Sequence, residues 1–347
     1  CVPLNRKSLL EIARRVRECN VYCEILPFDT SLAELKEKNI KGIIFTGGPE
    51  SVFGSNAPKP DPTLIKSGIP ILGICYGMQL IAHALGGHVK GSHREYGRTE
   101  LEISNPESIF AGLSVKETCW MSHGDSVVSL PEGFEVLART KAGAIASMGS
   151  NEKKIYGVQF HPEVAHTPHG KDILKNFLYV ICETKPTWTT QSFIDEAVED
   201  IRKRVGKQKI LCALSGGVDS TTVAALVHKA VGDQLVCMFI DQGFMRKNEA
   251  EKIAKLFSED FKMNLIHVNA ASAFFEKMRG ITDPEEKRIR IGNEFIRTFE
   301  REAKKLGDIP FLAQGTLYPD VIESAVPGPK VTSAHTIKTH HNVGGLP

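Results

Sequence analysis

Several short stretches of this 347-residue chain carry residue types spaced for bond-making chemistry. The first is Gly73-Ile74-Cys75-Tyr76-Gly77, set between an apolar run and an amphipathic one. This is the spacing of a nucleophile elbow, with cysteine in place of serine. Flanking glycines admit a sharp turn and the close approach of neighbouring backbone. The sulfur lands at a helix N-terminus, where the dipole and free N–H groups stabilise a thiolate. A base is available in Gln159-Phe160-His161-Pro162-Glu163. The proline pushes His161 to extended backbone, so His161 and Glu163 point to one side. One can take the thiol proton while the other orients and charge-balances the imidazole. Thr46-Gly47-Gly48-Pro49-Glu50-Ser51 follows a strand, and its backbone N–H groups, with that of Tyr76, can form an oxyanion hole. Taken singly, a His-Pro-Glu or a Gly-Gly is an ordinary turn.

A second kind of chemistry is written in Ser215-Gly216-Gly217-Val218-Asp219-Ser220-Thr221. The glycines let backbone N–H groups approach a phosphate, and the helix that follows favours its charge. Neither the Walker lysine nor the GxGxxG spacing is present. Asp219 can hold Mg²⁺ between phosphates, a hard ion with oxygen ligands. The alternative is a βα turn rich in small residues.

The elements that must position these groups alternate along the chain. Strands are expected at 21–26, 42–45 and 69–74, with helices at 31–36 and 76–85 between them. Near-continuous apolar strands separated by helices imply a parallel sheet covered on both faces. Strands at 133–139, 145–148 and 155–160 add a partly antiparallel region, and a helix over 171–182 closes the unit. After a polar, proline-containing linker, a second α/β unit is expected: helices at 193–205, 220–231 and 248–257, and strands at 209–214, 235–240 and 265–268. Asp283-Pro284-Glu285-Glu286 is a helix start, with its cap, its proline and its glutamate in place. The expected architecture is α/β, two doubly wound, mostly parallel-sheet domains in tandem: residues 1–184, a linker over 185–190, and residues 191–347.

Composition sets the class. Hydrophobic residues make up 41% and charged residues 24%, which suits a globular chain. Lys plus Arg is 43 against 41 acidic residues, evenly matched in both halves, so phosphate-driven binding of nucleic acid is not expected. No apolar run is long enough to span a bilayer and the N-terminus shows no signal-peptide pattern, so a cytoplasmic protein without membrane partners is expected. The eight cysteines contain no CxxC pair and read as reduced thiols. His83, His88 and His93 recur at steps that suit no single helix face and read as surface residues. His340 and His341 would point to opposite faces of a strand, which argues against a shared metal.

Gly47-Gly48-Pro49, Gly73-Ile74-Cys75-Tyr76-Gly77-Met78-Gln79 and His161-Pro162-Glu163 occur in the order and spacing of the triad-type, class I glutamine amidotransferases, and the first part of the chain resembles that family. The resemblance implies a thioester between Cys75 and the glutamine side chain, with release of ammonia. It implies catalysis by Cys75, His161 and Glu163, with Gly48, Tyr76, Gln79, Ser122, His123 and Asp125 around the oxyanion and the glutamine. Met121-Ser122-His123-Gly124-Asp125 resembles the family's glutamine-binding segment, with Asp125 a candidate for the α-amino group. Ser215 to Thr221 looks like the PP-loop of ATP pyrophosphatases, which cleave ATP to AMP and pyrophosphate while adenylating a substrate oxygen. That implies ATP binding by Ser215, Gly216, Gly217, Val218, Asp219, Ser220, Thr221 and Gly315, with Mg²⁺ on Asp219 and no prosthetic group.

Arg94-Glu95-Tyr96-Gly97 and the stretches 240–247, 286–292, 312–320 and 337–347 resemble the branch in which both modules are joined, the GMP synthetases. The resemblance implies an ATP-dependent ligase of purine biosynthesis that adenylates XMP and aminates it with ammonia from glutamine. It places Lys287 and Arg288 on a mobile lid over the anionic nucleotide and Lys338 near its phosphates. For the Lys-Arg run, the alternative is a solvated helix face. The family continues beyond the position matching residue 347 into a dimerisation domain, so a homodimer is expected through a region outside this chain, and the synthetase domain is expected to be truncated at its C-terminal end. Residues 1–10 depart from the family's apolar opening strand, which leaves the edge of the first sheet open. Two other readings stand beside this one: the same modules acting on another acceptor, such as a carboxylate, and a non-enzymatic regulatory paralogue.

Overall fold

Helix α1 (Arg6–Glu18) forms because apolar residues recur at helical spacing: Leu9, Ile12, Ala13 and Val16 are buried while Arg14 and Arg17 stay in solvent. The computed structural model describes residues 6–48, 51–55, 57–91 and 94–315. They divide into two units, Cys1–Thr189 and Thr190–Pro347.

In the first unit, α2 (Leu32–Glu37) begins at a capping box, where the Ser31 hydroxyl accepts from Glu34 N–H and the Glu34 carboxylate accepts from Ser31 N–H at 2.8 Å. The strands are β1 (Ile43–Phe45), β2 (Ile71–Ile74), β3 (His88–Lys90), β4 (Glu95–Ile103), β5 (Lys116–His123), β6 (Ser126–Ser129), β7 (Glu135–Thr140), β8 (Ile145–Ser150) and β9 (Ile155–Val158), with α3 (Tyr76–Ala84) and α4 (Gly170–Asn176). One sheet runs in the order β1-β2-β9-β8-β7-β4-β5, and β3 pairs with β6. Only β1, β2 and β9 pair in parallel; β9 to β5 are antiparallel. The α/β class holds, and the antiparallel share is larger than the sequence suggests. In β4 the polar faces of a half-exposed strand dilute the apolar signal: burial alternates along much of its length and charged residues recur at Glu95, Arg98, Glu100 and Glu102.

The strand expected at 21–26 is corrected. Among the described residues this stretch joins no strand: the sheet ends at β1, and a cavity of about 520 Å³ lined by Val21, Cys23, Leu26, Ile43 and Ile44 lies alongside. An apolar run becomes a strand only where a neighbour takes its backbone groups. The helix expected over 171–182 is α-helical to Asn176 and then widens into a π-helical turn over Phe177–Ile181.

The second unit contains α5 (Thr190–Val205), β10 (Ile210–Leu214), α6 (Val218–Val231), β11 (Leu235–Asp241), α7 (Glu249–Lys255), β12 (Asn264–Asn269), α8 (Ala271–Met278), α9 (Pro284–Lys304) and β13 (Phe311–Ala313). Its sheet, β12-β11-β10-β13, is parallel throughout. Alternate residues of β11 enter opposite cores. Cys237 and Phe239 pack with Ile253 and Phe257, whereas Val236, Met238 and Ile240 pack with Phe274. That alternation is the mark of a sheet with helices on both faces. At the start of α9, Asp283 accepts from Glu286 N–H at 2.8 Å and Pro284 fills the first turn.

Candidate active sites

Cys75 sits between the end of β2 and the start of α3 with φ 54°, in the left-handed region. Local packing explains the glycines on either side. A Cβ on Gly73 would lie 2.6 Å from the backbone of Gly77, and one on Gly77 would lie 2.3 Å from the Phe45 carbonyl oxygen. Helix α3 is therefore pressed against β1 and β2, and the turn carries the sulfur to the C-terminal ends of the parallel strands, the usual place for a site in such sheets. The Cys75 N–H donates to Val158 O at 2.7 Å, tying the elbow to β9.

The chain leaves β9 through Gln159 and Phe160 to His161, whose N–H donates to Trp120 O at 3.1 Å and whose carbonyl accepts from Thr167 Oγ1 at 2.7 Å. With its backbone fixed, the His161 ring meets Glu163 through Nδ1 and Oε1 at 2.8 Å, and it is hydrogen-bonded to Cys75 on its other side. Gly47 closes the gap: a Cβ there would be 3.1 Å from His161 Cε1 and 3.5 Å from Cys75 Cβ. Burial alone would lower the His161 pKa, but the Cys75 and Glu163 partners outweigh it and hold the value at about 10. Such a centre can keep an imidazolium against a thiolate.

The other described cysteines lack these partners. Burial pushes Cys119 and Cys182 up to about 12 and raises Cys19 and Cys23.

Around the sulfur, the Cys75 thiol lies 3.7 Å from the Ser122 carbonyl oxygen. Gln79 Nε2 donates to Asp125 O at 2.7 Å, and His123 Nδ1 lies 3.0 Å from the same oxygen. His123 is buried, which lowers its pKa, and its Nε2 is 3.5 Å from Glu95 Oε2. The structure thus brings Cys75, Tyr76, Gln79, Ser122, His123, Asp125, His161 and Glu163 to one end of the first sheet, with Gly48 one residue beyond Gly47. Sequence reasoning missed Gln159, whose buried amide donates toward Cys75 Sγ at 3.7 Å and accepts from Gln79 at 3.3 Å. Its place two residues before His161 was the available signal. Thr167, held across the fold, carries no comparable local signal, whereas Glu95 lies in the Arg94–Gly97 stretch already singled out.

In the second unit the glycine loop joins β10 to α6, which starts at Val218, two residues earlier than expected. Gly216 has φ 80°, a conformation that favours glycine, and a Cβ there would be 2.2 Å from Ile253 Cδ1, which would have to move aside. Hydroxyls brace the loop from within. Ser215 N–H donates to Ser220 Oγ at 3.2 Å, Gly217 N–H donates to Ser215 Oγ at 3.3 Å, and Thr221 Oγ1 donates to Gly217 O at 2.8 Å. Gly217, Val218 and Asp219 face solvent at the helix N-terminus. Gly315, just beyond β13, sits against the loop, since a Cβ there would be 3.0 Å from the backbone of Asp219 and Ser220.

Lys287 and Arg288 lie exposed near the start of α9, where Arg288 pairs with Glu285 at 2.5 Å. His83 and His88 are exposed. Lys338, His93, His340 and His341 lie outside the described residues. Among the described residues no group of His, Cys, Asp and Glu has the arrangement of a metal centre, and no helix is long and apolar enough to cross a membrane.

Comparison with known proteins agrees with this division. The glutamine amidotransferase class-I family model matches residues 7–181, and the NAD synthase family model matches residues 190–301. A GMP synthase (glutamine-hydrolyzing) of Carboxydothermus hydrogenoformans is 57% identical over 97% of this chain, and the corresponding protein of Caldicellulosiruptor saccharolyticus is 58% identical over the same share. The chain spans 65% of the length of each of these relatives. Among solved structures, a Thermoplasma acidophilum protein named as a GMP synthase subunit aligns with TM-score 0.45 at 30% identity, covering 56% of this chain and 95% of that one. With a family match across half its length, the chain belongs to the class-I glutamine amidotransferases.

Proposed function

We propose that this chain hydrolyses glutamine at Cys75 and uses the ammonia to aminate XMP that its second unit has adenylated with ATP, giving GMP. The observation that carries the reading is the pairing, in one chain, of the Cys75–His161–Glu163 centre with the braced glycine loop of Ser215 to Thr221. The names of the relatives favour XMP over another adenylated acceptor such as a carboxylate.

At the first site the thiolate attacks the side-chain carboxamide carbon of glutamine. N–H donors near Gly48 and Tyr76 stabilise the oxyanion. As the C–N bond breaks, His161 gives its proton to the departing nitrogen, and ammonia leaves a thioester on Cys75. His161 then takes a proton from water, which cleaves the thioester to glutamate and restores the thiolate. Glu163 holds the imidazole in one orientation throughout. Gln79, Ser122, His123 and Asp125 line the entrance as the glutamine-binding set, with Asp125 for the α-amino group.

At the second site the N–H groups of Val218 and Asp219, exposed at the start of α6, receive the pyrophosphate of ATP. The donor set fits magnesium: Asp219 offers an exposed carboxylate, while the hydroxyls of Ser215, Ser220 and Thr221 are engaged in holding the loop. Bound there with ATP, Mg²⁺ would neutralise phosphate charge. Lys287 and Arg288, with Lys338, are the residues proposed for the acceptor's phosphate. Homodimerisation and a cytoplasmic setting, without nucleic-acid or membrane partners, complete the reading.

The test is pyrophosphate release with ATP against a panel of acceptors including XMP, IMP and free carboxylates. Release that requires XMP supports the reading, and equal release with a carboxylate would move the assignment to another ligase.

A further inference from the structure

The Glu163 carboxylate is buried, and its Oε1 serves two donors: His161 Nδ1 at 2.8 Å, and the hydroxyl of Ser8 in the first half of α1. Among the described residues its Oε2 meets no hydrogen-bond partner. The same helix touches Glu163 a second time, two turns along, where Arg15 Nε donates to the Glu163 carbonyl at 3.1 Å. His161 is held by other means, through Trp120 and Thr167. The two partners of the ion pair are thus fixed by different parts of the fold, and α1 fixes the carboxylate. A carboxylate with one oxygen unpartnered can swing about a single hydrogen bond at its other oxygen through its broad last torsion. The second donor on Oε1 removes that freedom.

We propose that Ser8 is a positioning residue of the triad, its hydroxyl fixing the Glu163 oxygen that orients His161 toward Cys75. The proposal rests on the glutamine-hydrolysis reading, and it extends the machinery to a segment that sequence motifs do not mark. With Ser8 lost, Glu163 spends part of its time turned away from Nδ1, and the imidazole is less often aimed at Cys75. Substrate contacts are untouched.

The experiment compares Ser8→Ala, Ser8→Thr and the parent chain in two assays: glutamine hydrolysis, and the rate at which iodoacetamide alkylates Cys75, followed by mass spectrometry across pH. Ser8→Ala should lower kcat about tenfold with KM within about twofold, the scale of one hydrogen bond to a charged group. Its Cys75 should alkylate more slowly than the parent's at the same pH, and Ser8→Thr, which keeps the hydroxyl, should restore both. A parental alkylation profile in Ser8→Ala overturns the proposal whatever the melting temperature does, since a merely structural role would change stability alone. A Ser8→Thr variant as impaired as Ser8→Ala also overturns it. Failure of the underlying reading is separable: glutamine hydrolysis that survives in Cys75→Ala would sink the triad, not Ser8 in particular.

Discussion

His161 shows how a residue's partners, more than its burial, set its chemistry. Burial opposes its charge, yet Cys75 and Glu163 raise its pKa from 6.5 to about 10. The folded chain therefore binds this proton more tightly than the unfolded chain, and the contribution to stability is fully present below about pH 6.5. It is lost as pH rises through about 10. Unfolding free energies of the parent and His161→Gln, measured by denaturant titration at a series of pH values, should differ most near pH 6 and converge toward pH 10. A gap that stays constant over that window would mean that His161 is not held as imidazolium. The residue types of this centre were legible in the sequence because an elbow and a His-Pro-Glu are local patterns. Ser8 was not, because 155 positions separate it from Glu163 and nothing near it announces the contact.

At the scale of elements, the elbow depends on how closely α3 lies on β1. An alanine methyl at Gly77 would meet the Phe45 carbonyl at 2.3 Å, so Gly77→Ala must push helix and strand apart. Overpacking of this kind costs about 1–3 kcal/mol, and glutamine hydrolysis should fall with it. Gly292, within α9, is the control: a Cβ there meets nothing within 4 Å, so Gly292→Ala should be neutral or stabilising by up to about 1 kcal/mol. Equal denaturation midpoints for the two variants would remove close packing as the reason for glycine at 77. Elements signalled by local chemistry were read well: the apolar strands β2 and β11, the helix at 31–36 and the Asp283-Pro284 start of α9. The failure at 21–26 was of another kind. Its residues suit a strand, but strand formation needs a neighbour, and pairing is a property of distant segments.

For the whole molecule, each unit has its own sheet and its own apolar cores, and each proposed site belongs to one unit. The two chemistries should accordingly be separable by mutation. Cys75→Ala should abolish glutamine-driven GMP formation while added ammonium salt restores it. Asp219→Ala should lose synthesis with either nitrogen donor and keep glutamine hydrolysis. Each loss should exceed about 100-fold, the scale expected when a group proposed as nucleophile or as metal ligand is removed. Glutamine-driven synthesis by Cys75→Ala, or ammonium-driven synthesis by Asp219→Ala, would overturn the corresponding site.

The φ of 54° at Cys75 carries a consequence for how this protein would respond to selection. In that region an L-residue other than glycine is strained by about 1 kcal/mol or more, and the strain persists because the turn between β2 and α3 leaves the backbone no other course. Glycine at 75 would relieve it and cysteine cannot, so the position holds reactivity at the expense of stability. A library screened for heat resistance alone would drift toward glycine there, and the most robust survivors would be the ones that had discarded the proposed nucleophile.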